Sequence, residues 1–371
     1  MKSAAAAPKS LAARVDHLLA RRTEANERFF AAAAERIARL CREMAERFVR
    51  GGRLLAVGGS PQAWSDAHHV AVEFVHPVIV GKRALPALAV APEELPLLRE
   101  EDDLTISFEP LTIGAEEEWR LEAPDDDPFV RQELAETLYH VLWELVHVFF
   151  EHLGTSEAGA GASGFLYPFL EGAESDLEAV VDDVRRSVLM KAREVAELRR
   201  QTLEEGRAEL AAAAGVLRHS FEDDGRLLAF GNGGSATDAM DVVADFRAAP
   251  QGWPARRALD LAQDSAILTA LANDIGAEVL FQRQLIAYGR EGDVALAIST
   301  SGSSANIVEA LAEARRRGLA TIALVGYDGG RIAAEGLADH VVVSRSEHIP
   351  RIQEAQASAY HVLRELVELS T

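Results

Sequence analysis

The sequence predicts an α/β protein built twice on one plan, with parallel sheets covered by helices on both faces and a first copy that is reduced. Three observations carry this prediction. Short apolar runs alternate with amphipathic helical stretches, the order that builds parallel strands joined by crossover helices. Two pairs of distant segments repeat each other, the mark of an internal duplication. The apolar run 294–298 opens into a hydroxyl-rich turn directly before a helix, the usual layout of a binding site on such a sheet.

Taken in order, residues 9–50 read as helix, since Leu, Ala and Phe recur at three- and four-residue steps with no internal Pro or Gly. Residues 51–57 give a turn and a strand, and 64–76 suit a helix that stops before Pro77. A Pro-rich, acidic stretch follows, with short strands expected at 104–107 and 119–122, and 129–152 is a strong closing helix. The small, polar stretch 154–164 is the best linker, and the apolar patch 165–170 is expected to dock on a domain surface. Residues 176–221 are again helical. The domains are therefore 1–153, a linker at 154–175, and 176–371, each flanked by long helices.

The repeat is specific. Residues 225–230, Gly-Arg-Leu-Leu-Ala-Phe, echo residues 52–57, Gly-Arg-Leu-Leu-Ala-Val. Gln353 followed by Tyr360 and His361 echoes Gln132 followed by Tyr139 and His140, with His eight residues after Gln both times. The copies differ in their middles: 258–343 carries extra β–α units, where the first copy has only 99–107.

Composition excludes several functions. With 371 residues and a formal charge of -21, the chain lacks the basic surface that nucleic acid or an anionic membrane would require. No apolar run is long enough to span a bilayer, and residues 1–10 lack a signal-peptide core. The single cysteine, Cys41, rules out an internal disulfide and fits a reducing compartment, so a cytoplasmic protein is expected.

The chemistry gathers in the second half. After the strand 294–298 come Ser299, Thr300, Ser301, Gly302, Ser303 and Ser304, and a helix starts near Asn306. Strand end, hydroxyls and helix N-terminus together make an anion site. The turn Gly231, Asn232, Gly233, Gly234, Ser235 after the earlier strand is a second wall for a sugar phosphate. Asp238, Asp241 and Asp245 share one helix face, readable as hydroxyl-polarising or basic groups, or as a solvated acidic face at a helix start. In the first copy the same spacing gives Asp66, His69 and Glu73; with Gln132 and His140 these could bind a divalent metal or move protons. His140 and His361 read equally well as structural histidines of apolar helix faces. Asn273 and Asp274 read as a turn, as do Asp328 to Gly330.

On these residues the second half resembles the sugar isomerase (SIS) domain, and more narrowly the phosphoheptose isomerase family. The resemblance runs almost continuously over 176–371. It includes the Gly-Asn-Gly-Gly-Ser turn, Asp238, the segment 265–274 ending Ala-Asn-Asp, the serine loop, Asp328 to Gly330, and Arg351, Ile352, Gln353, Glu354 with His361. The family implies a three-layer α/β/α domain, an oligomer with sites between subunits, and conversion of sedoheptulose 7-phosphate to an aldose phosphate through an enediol. It assigns phosphate to Ser299, Thr300, Ser301 and Ser304, and the sugar to Asn232, Gly233, Ser235, Asp238, Asp274 and Gln353. The departures are Asp241 and Asp245 where the family has His and a catalytic Glu, and Pro350 where it has an acid.

The first copy resembles a degenerate domain of the same family, with no serine loop. Its His69, Glu73, Gln132 and His140 match the family's metal and acid–base positions, which implies zinc there and no organic cofactor. The expectation is a phosphosugar aldose–ketose isomerase acting on a heptose phosphate. Glu73 or Asp245 is the base, His140 or His361 the acid, and a homodimer imitates a tetramer of SIS domains, the first copy completing the cup of the second. The alternatives are a non-catalytic phosphosugar-binding or regulatory protein, and an assembly scaffold.

Overall fold

Two sheets form where the short apolar runs fall, one in each of two compact units. A computed structural model describes residues 11–76, 82–114, 119–152, 177–250 and 252–368. One unit is Ala25–Glu194; the other combines Met1–Glu24 with Val195–Thr371. The expected linker 154–175 and the apolar patch 165–170 lie outside the described residues. Among the described residues no helix is long and apolar enough to cross a membrane.

The first unit begins within α1 (Leu11–Val49), which contributes Phe29, Phe30, Ile37, Leu40, Met44 and Phe48 to its core. Next comes β1 (Leu54–Val57), buried throughout. α2 (Pro61–Val75) starts with Ser60 accepting the Ala63 N–H at 3.1 Å and with proline in its first turn, where the missing N–H costs nothing. β2 (Ala87–Val90), α3 (Leu95–Leu98), β3 (Leu104–Phe108), β4 (Leu111–Gly114) and β5 (Trp119–Arg120) follow. The sheet order is β2-β1-β3-β4-β5, with β2 and β3 parallel to β1 and the remaining pairs antiparallel. α4 (Pro128–His152) closes the unit and buries Leu138, Tyr139, Leu142, Trp143 and Phe149. α5 (Leu177–Glu205) follows and is divided between the units at Glu194.

In the second unit, α6 (Arg207–Glu222) leads to β6 (Leu227–Phe230), α7 (Gly234–Arg247), β7 (Ala258–Asp260), α8 (Ser265–Asp274) and α9 (Leu280–Tyr288). Then come β8 (Val294–Ser299), α10 (Ala305–Arg316), β9 (Ala320–Gly326), α11 (Gly330–Ala334), β10 (His340–Ser344) and α12 (Ile349–Glu368). All pairings are parallel in the order β10-β9-β8-β6-β7. Alternate strand residues enter opposite cores. Leu227, Ala229, Leu296, Ile298 and Leu324 pack with α6, α7 and α12, whereas Leu228, Phe230, Ala295, Ala297 and Val325 pack with α9 and α10. This is the predicted three-layer arrangement.

The repeated segments fall on corresponding elements. Arg53 precedes β1 and binds Asp103, which precedes β3: Asp103 Oδ1 accepts the Arg53 N–H at 2.8 Å, and Arg53 Nη2 donates to Oδ2 at 2.6 Å. Arg226 before β6 and Asp293 before β8 make the same pair of bonds at 2.9 and 2.6 Å. The third strand of each unit is thus bracketed to the first in one way. Their exits differ. β8 runs into the serine loop, whereas β3 turns back on itself as β4.

Candidate active site

The cup at the carboxyl end of the second sheet is made by the exits of two neighbouring parallel strands, β6 and β8. Asn232 Nδ2 donates to Asn306 Oδ1 at 2.9 Å, and Asn306 Nδ2 donates back to Asn232 Oδ1 at 2.8 Å. This reciprocal amide pair clamps the glycine turn to the serine turn. Each turn leads directly into a helix N-terminus, α7 or α10, whose first N–H groups lack intrahelical acceptors. Gly233 has φ 57° and Gly302 φ 59°, a region costly for any other residue. At Gly302 a Cβ would also lie 2.3 Å from the Gly329 carbonyl oxygen, so the loop closes only with glycine there.

The hydroxyls divide the work. Ser299 is buried, and its Oγ accepts the Gly302 N–H at 3.1 Å, so it builds the turn from inside. Ser303 Oγ accepts the Arg331 N–H at 3.1 Å and ties the loop to α11. Thr300 and Ser304 are half-buried, Ser301 is exposed, and the Ser301 and Ser304 hydroxyls stand 3.5 Å apart. Asn232 and Gly233 are exposed at the rim, while Ser235 and Asp238 are buried in the first turns of α7. Asp274 is exposed at the last position of α8, where its Oδ1 accepts the Asn273 amide at 2.7 Å. The sequence put Asn306 and Ser303 in the anion loop but gave neither a separate task in the site. An amide in the first turn of the helix after the serine turn was the available signal.

The acid–base candidates form one cluster in each unit. In the first, His69 and Glu73 from α2 meet His140 from α4, all buried, with ligand atoms within 4.8 Å of one another. His69 Nε2 lies 3.9 Å from Glu73 Oε1, and the His69 and His140 rings meet edge-on at 5.1 Å. Two imidazoles and a carboxylate are a donor set suited to zinc with an open coordination position. Gln132, half-buried, stands about 12 Å of helix rise before His140 on α4. Asp66 is buried one turn before His69.

In the second unit Asp241 and Asp245 from α7 meet His361 from α12 at the corresponding positions. His361 Nε2 is 3.5 Å from Asp241 Oδ2 and 3.4 Å from Asp245 Oδ2, and all three residues are buried. Tyr360, also missed from sequence, donates its hydroxyl to Asp241 Oδ2 at 2.8 Å. The Tyr-His pair that occurs at 139–140 and again at 360–361 was its signal. Gln353 is buried two turns earlier on α12. Asp245 lies eleven residues, about 16 Å of helix rise, beyond Gly234.

The chain is similar to known proteins over this region. The family model described as SIS domain matches residues 192–326. The phosphoheptose isomerase of Pelodictyon phaeoclathratiforme is 40% identical over 178 residues, 47% of this chain and 83% of that relative. The phosphoheptose isomerase of Chlorobium limicola is 43% identical over 178 residues, 47% of this chain and 82% of its own. Among solved structures, the C-terminal domain of glucosamine-fructose-6-phosphate aminotransferase from Francisella tularensis shares the fold with a TM-score of 0.61. That likeness covers 97% of this chain and 96% of the other, at 10% identity.

Proposed function

The chain belongs to the phosphoheptose isomerase family of SIS-domain proteins, and from that membership we propose that its second unit binds a phosphorylated sugar and interconverts its aldose and ketose forms. Sedoheptulose 7-phosphate is the substrate this reading favours. The observation that carries it is the Asn232–Asn306 clamp, which joins two loops and two helix starts into one anion cup. The phosphate would sit on the free N–H groups of the serine loop with Thr300, Ser301 and Ser304, and the sugar hydroxyls against Asn232, Ser235 and Asp238. Local dipoles suit this task in a chain of net charge -21.

The reaction is an internal exchange. A carboxylate removes a proton from C1 of the ketose, and the electron pair forms the C1=C2 bond of an enediol while O2 takes a proton. Return of a proton to C2 and loss of one from O1 give the aldose. No net oxidation occurs, so no organic cofactor is needed. Asp245 is the base of this reading and His361 the group that moves the hydroxyl protons. A homodimer or larger oligomer, as the family resemblance implies, is part of this reading.

The two units descend, in this reading, from a tandem duplication, supported by the matching Arg53–Asp103 and Arg226–Asp293 brackets. His69, Glu73 and His140 would hold a zinc ion, with Gln132 on the same helix. When bound, zinc would polarise a sugar carbonyl or hydroxyl; without it, Glu73 and His140 are the groups able to hold a proton there. Incubation with sedoheptulose 7-phosphate, with and without zinc, tests the proposal. Absence of turnover in both, for the wild type and for Glu73→Gln and Asp245→Asn alike, would sink it.

One observation favours a second reading, a phosphosugar-binding protein without turnover. Asp241 and Asp245 close on His361, and Tyr360 holds Asp241 in place, so the carboxylates are already engaged. Heptose phosphate raising the melting temperature without turnover would select that reading.

A further inference from the structure

Helix α12 bonds to α7 at two neighbouring points, one on either side of His361. The Tyr360 hydroxyl donates to Asp241 Oδ2 at 2.8 Å, and Arg364 Nε donates to the Asp245 carbonyl oxygen at 3.2 Å. Tyr360 stands immediately before His361 and Arg364 three residues after it, and both are buried. The Arg364 guanidinium lies over the Phe246 and Trp253 rings, 4.7 and 4.8 Å from their centroids, and these contacts brace it. The Tyr360 ring meets the His361 ring edge-on at 4.6 Å and packs in the core beneath the sheet.

Two carboxylates share one imidazole here. His361 Nε2 is 3.5 Å from Asp241 Oδ2 and 3.4 Å from Asp245 Oδ2, so distance alone does not tell them apart. The tyrosine does. Its hydroxyl meets the same Asp241 oxygen that faces His361, and a fixed donor on that oxygen restrains the carboxylate's rotation. The Arg364 bond restrains Asp245 through its main chain instead. The first unit has no carboxylate at the matching place: His69 stands there, its ring 5.2 Å from that of Tyr139. The tyrosine–carboxylate bond therefore goes with the aspartate at 241.

We propose that Tyr360 is a positioning residue for the isomerisation: it holds Asp241 as the carboxylate that orients His361, and so leaves Asp245 as the one that takes the carbon-bound proton. The inference rests on the isomerase reading above and adds to it a division of tasks between the two carboxylates. Tyr360 acts through Asp241 rather than on the sugar. A sugar hydroxyl exchanging its proton with His361 then meets an imidazole of fixed direction, the condition for fast transfer.

Tyr360→Phe removes the hydroxyl and keeps the ring. Steady-state kinetics of the full chain with sedoheptulose 7-phosphate are expected to show kcat lowered at least tenfold and KM changed by less than about twofold, since misplacing a reacting group slows chemistry without touching the phosphate contacts. Asp241→Asn removes the charge that Tyr360 positions and is expected to lower kcat at least tenfold as well. Adding Tyr360→Phe to Asp241→Asn should then change kcat by less than about twofold, because residues that act as one unit are not additive. A tyrosine that only supported the fold would instead give the same further loss in both backgrounds, and that result overturns the inference. Should Tyr360→Phe fail to fold, Asp241→Asn decides: full kcat there overturns it. Absence of wild-type turnover sinks the isomerase reading and this inference together, whereas wild-type turnover that Tyr360→Phe leaves unchanged sinks this inference alone.

Discussion

Gly302→Ala tests the geometry of the anion cup at one atom. At φ 59° an alanine costs about 1–2 kcal/mol through its handedness alone. Its Cβ would also lie 2.3 Å from the Gly329 carbonyl oxygen, a backbone atom fixed by its own turn into α11. Relief requires the loop to open by roughly 1 Å toward an ordinary contact distance. That movement carries the Gly302 N–H away from Ser299 Oγ and misdirects the loop donors that would meet phosphate. Loss of one charge-assisted hydrogen bond, about 1.5–3 kcal/mol, weakens phosphosugar binding by about 10- to 100-fold. The melting temperature should fall by several degrees from the handedness cost. Isothermal titration with a phosphosugar, alongside thermal unfolding, measures both. A folded Gly302→Ala protein that binds with wild-type affinity would refute the account of the cup.

Three further outcomes follow from the structure. Dialysed protein should take up about one zinc per chain, and His69→Ala or His140→Ala should cut the zinc affinity by at least tenfold; unchanged uptake by elemental analysis contradicts the assigned ligands. Lys191 pairs with Glu144 in the interior of the first unit, so Lys191→Met, which removes one partner of a buried ion pair, should cost about 3–5 kcal/mol in urea unfolding, and a change below the error would show that the pair is not closed in solution. Burial, with the positive charge of Lys82, holds the His147 imidazole down to about 4 against the carbonyls of Arg83 and Trp143. Because its folded value lies below the unfolded one near 6.5, the unfolded chain binds more protons between the two. The His147 contribution, on the order of 3 kcal/mol, is complete above pH 6.5 and is lost as pH falls toward 4. Denaturant titrations of wild type and His147→Leu across that window should converge toward low pH; parallel curves would contradict the assignment.

Much of the second unit was legible in the sequence because its strands are short apolar runs between helices of clear period, and its loops carry glycine and serine where close approach and anions demand them. The first unit was harder. Ala87–Val90 is an edge strand with a half-exposed face, flanked by Pro86 and Pro92, so neither alternation nor apolar length marks it. The antiparallel return of β4 onto β3 replaces the serine loop, and no local signal distinguishes it from another crossover. The helix expected over 176–221 is interrupted at Gly206, where a Cβ would meet the Thr202 carbonyl oxygen at 2.7 Å and Val342 at 2.8 Å; a contact with β10 is invisible in local sequence.

At the candidate site the types of residue were legible and their tasks were less so. Helical spacing was enough to put His69 with Glu73 and Asp241 with Asp245. The repeat of Tyr-His on α4 and α12 then brought His140 and His361 to them. Spacing gave no hint that Ser299 faces inward, or that Asn306 clamps Asn232, because both depend on how two strand exits meet in space.

The central claim is that a phosphosugar held by the serine loop undergoes aldose–ketose exchange through an enediol. Its most direct test is sedoheptulose 7-phosphate incubated with the protein in D₂O and followed by ¹H and ³¹P NMR. The account predicts a second, aldose phosphate that grows to equilibrium, deuterium entering at the carbon that exchanges its proton, and loss of both signals in Asp245→Asn. A phosphosugar that binds, as seen by line broadening, yet shows neither new product nor deuterium would contradict it.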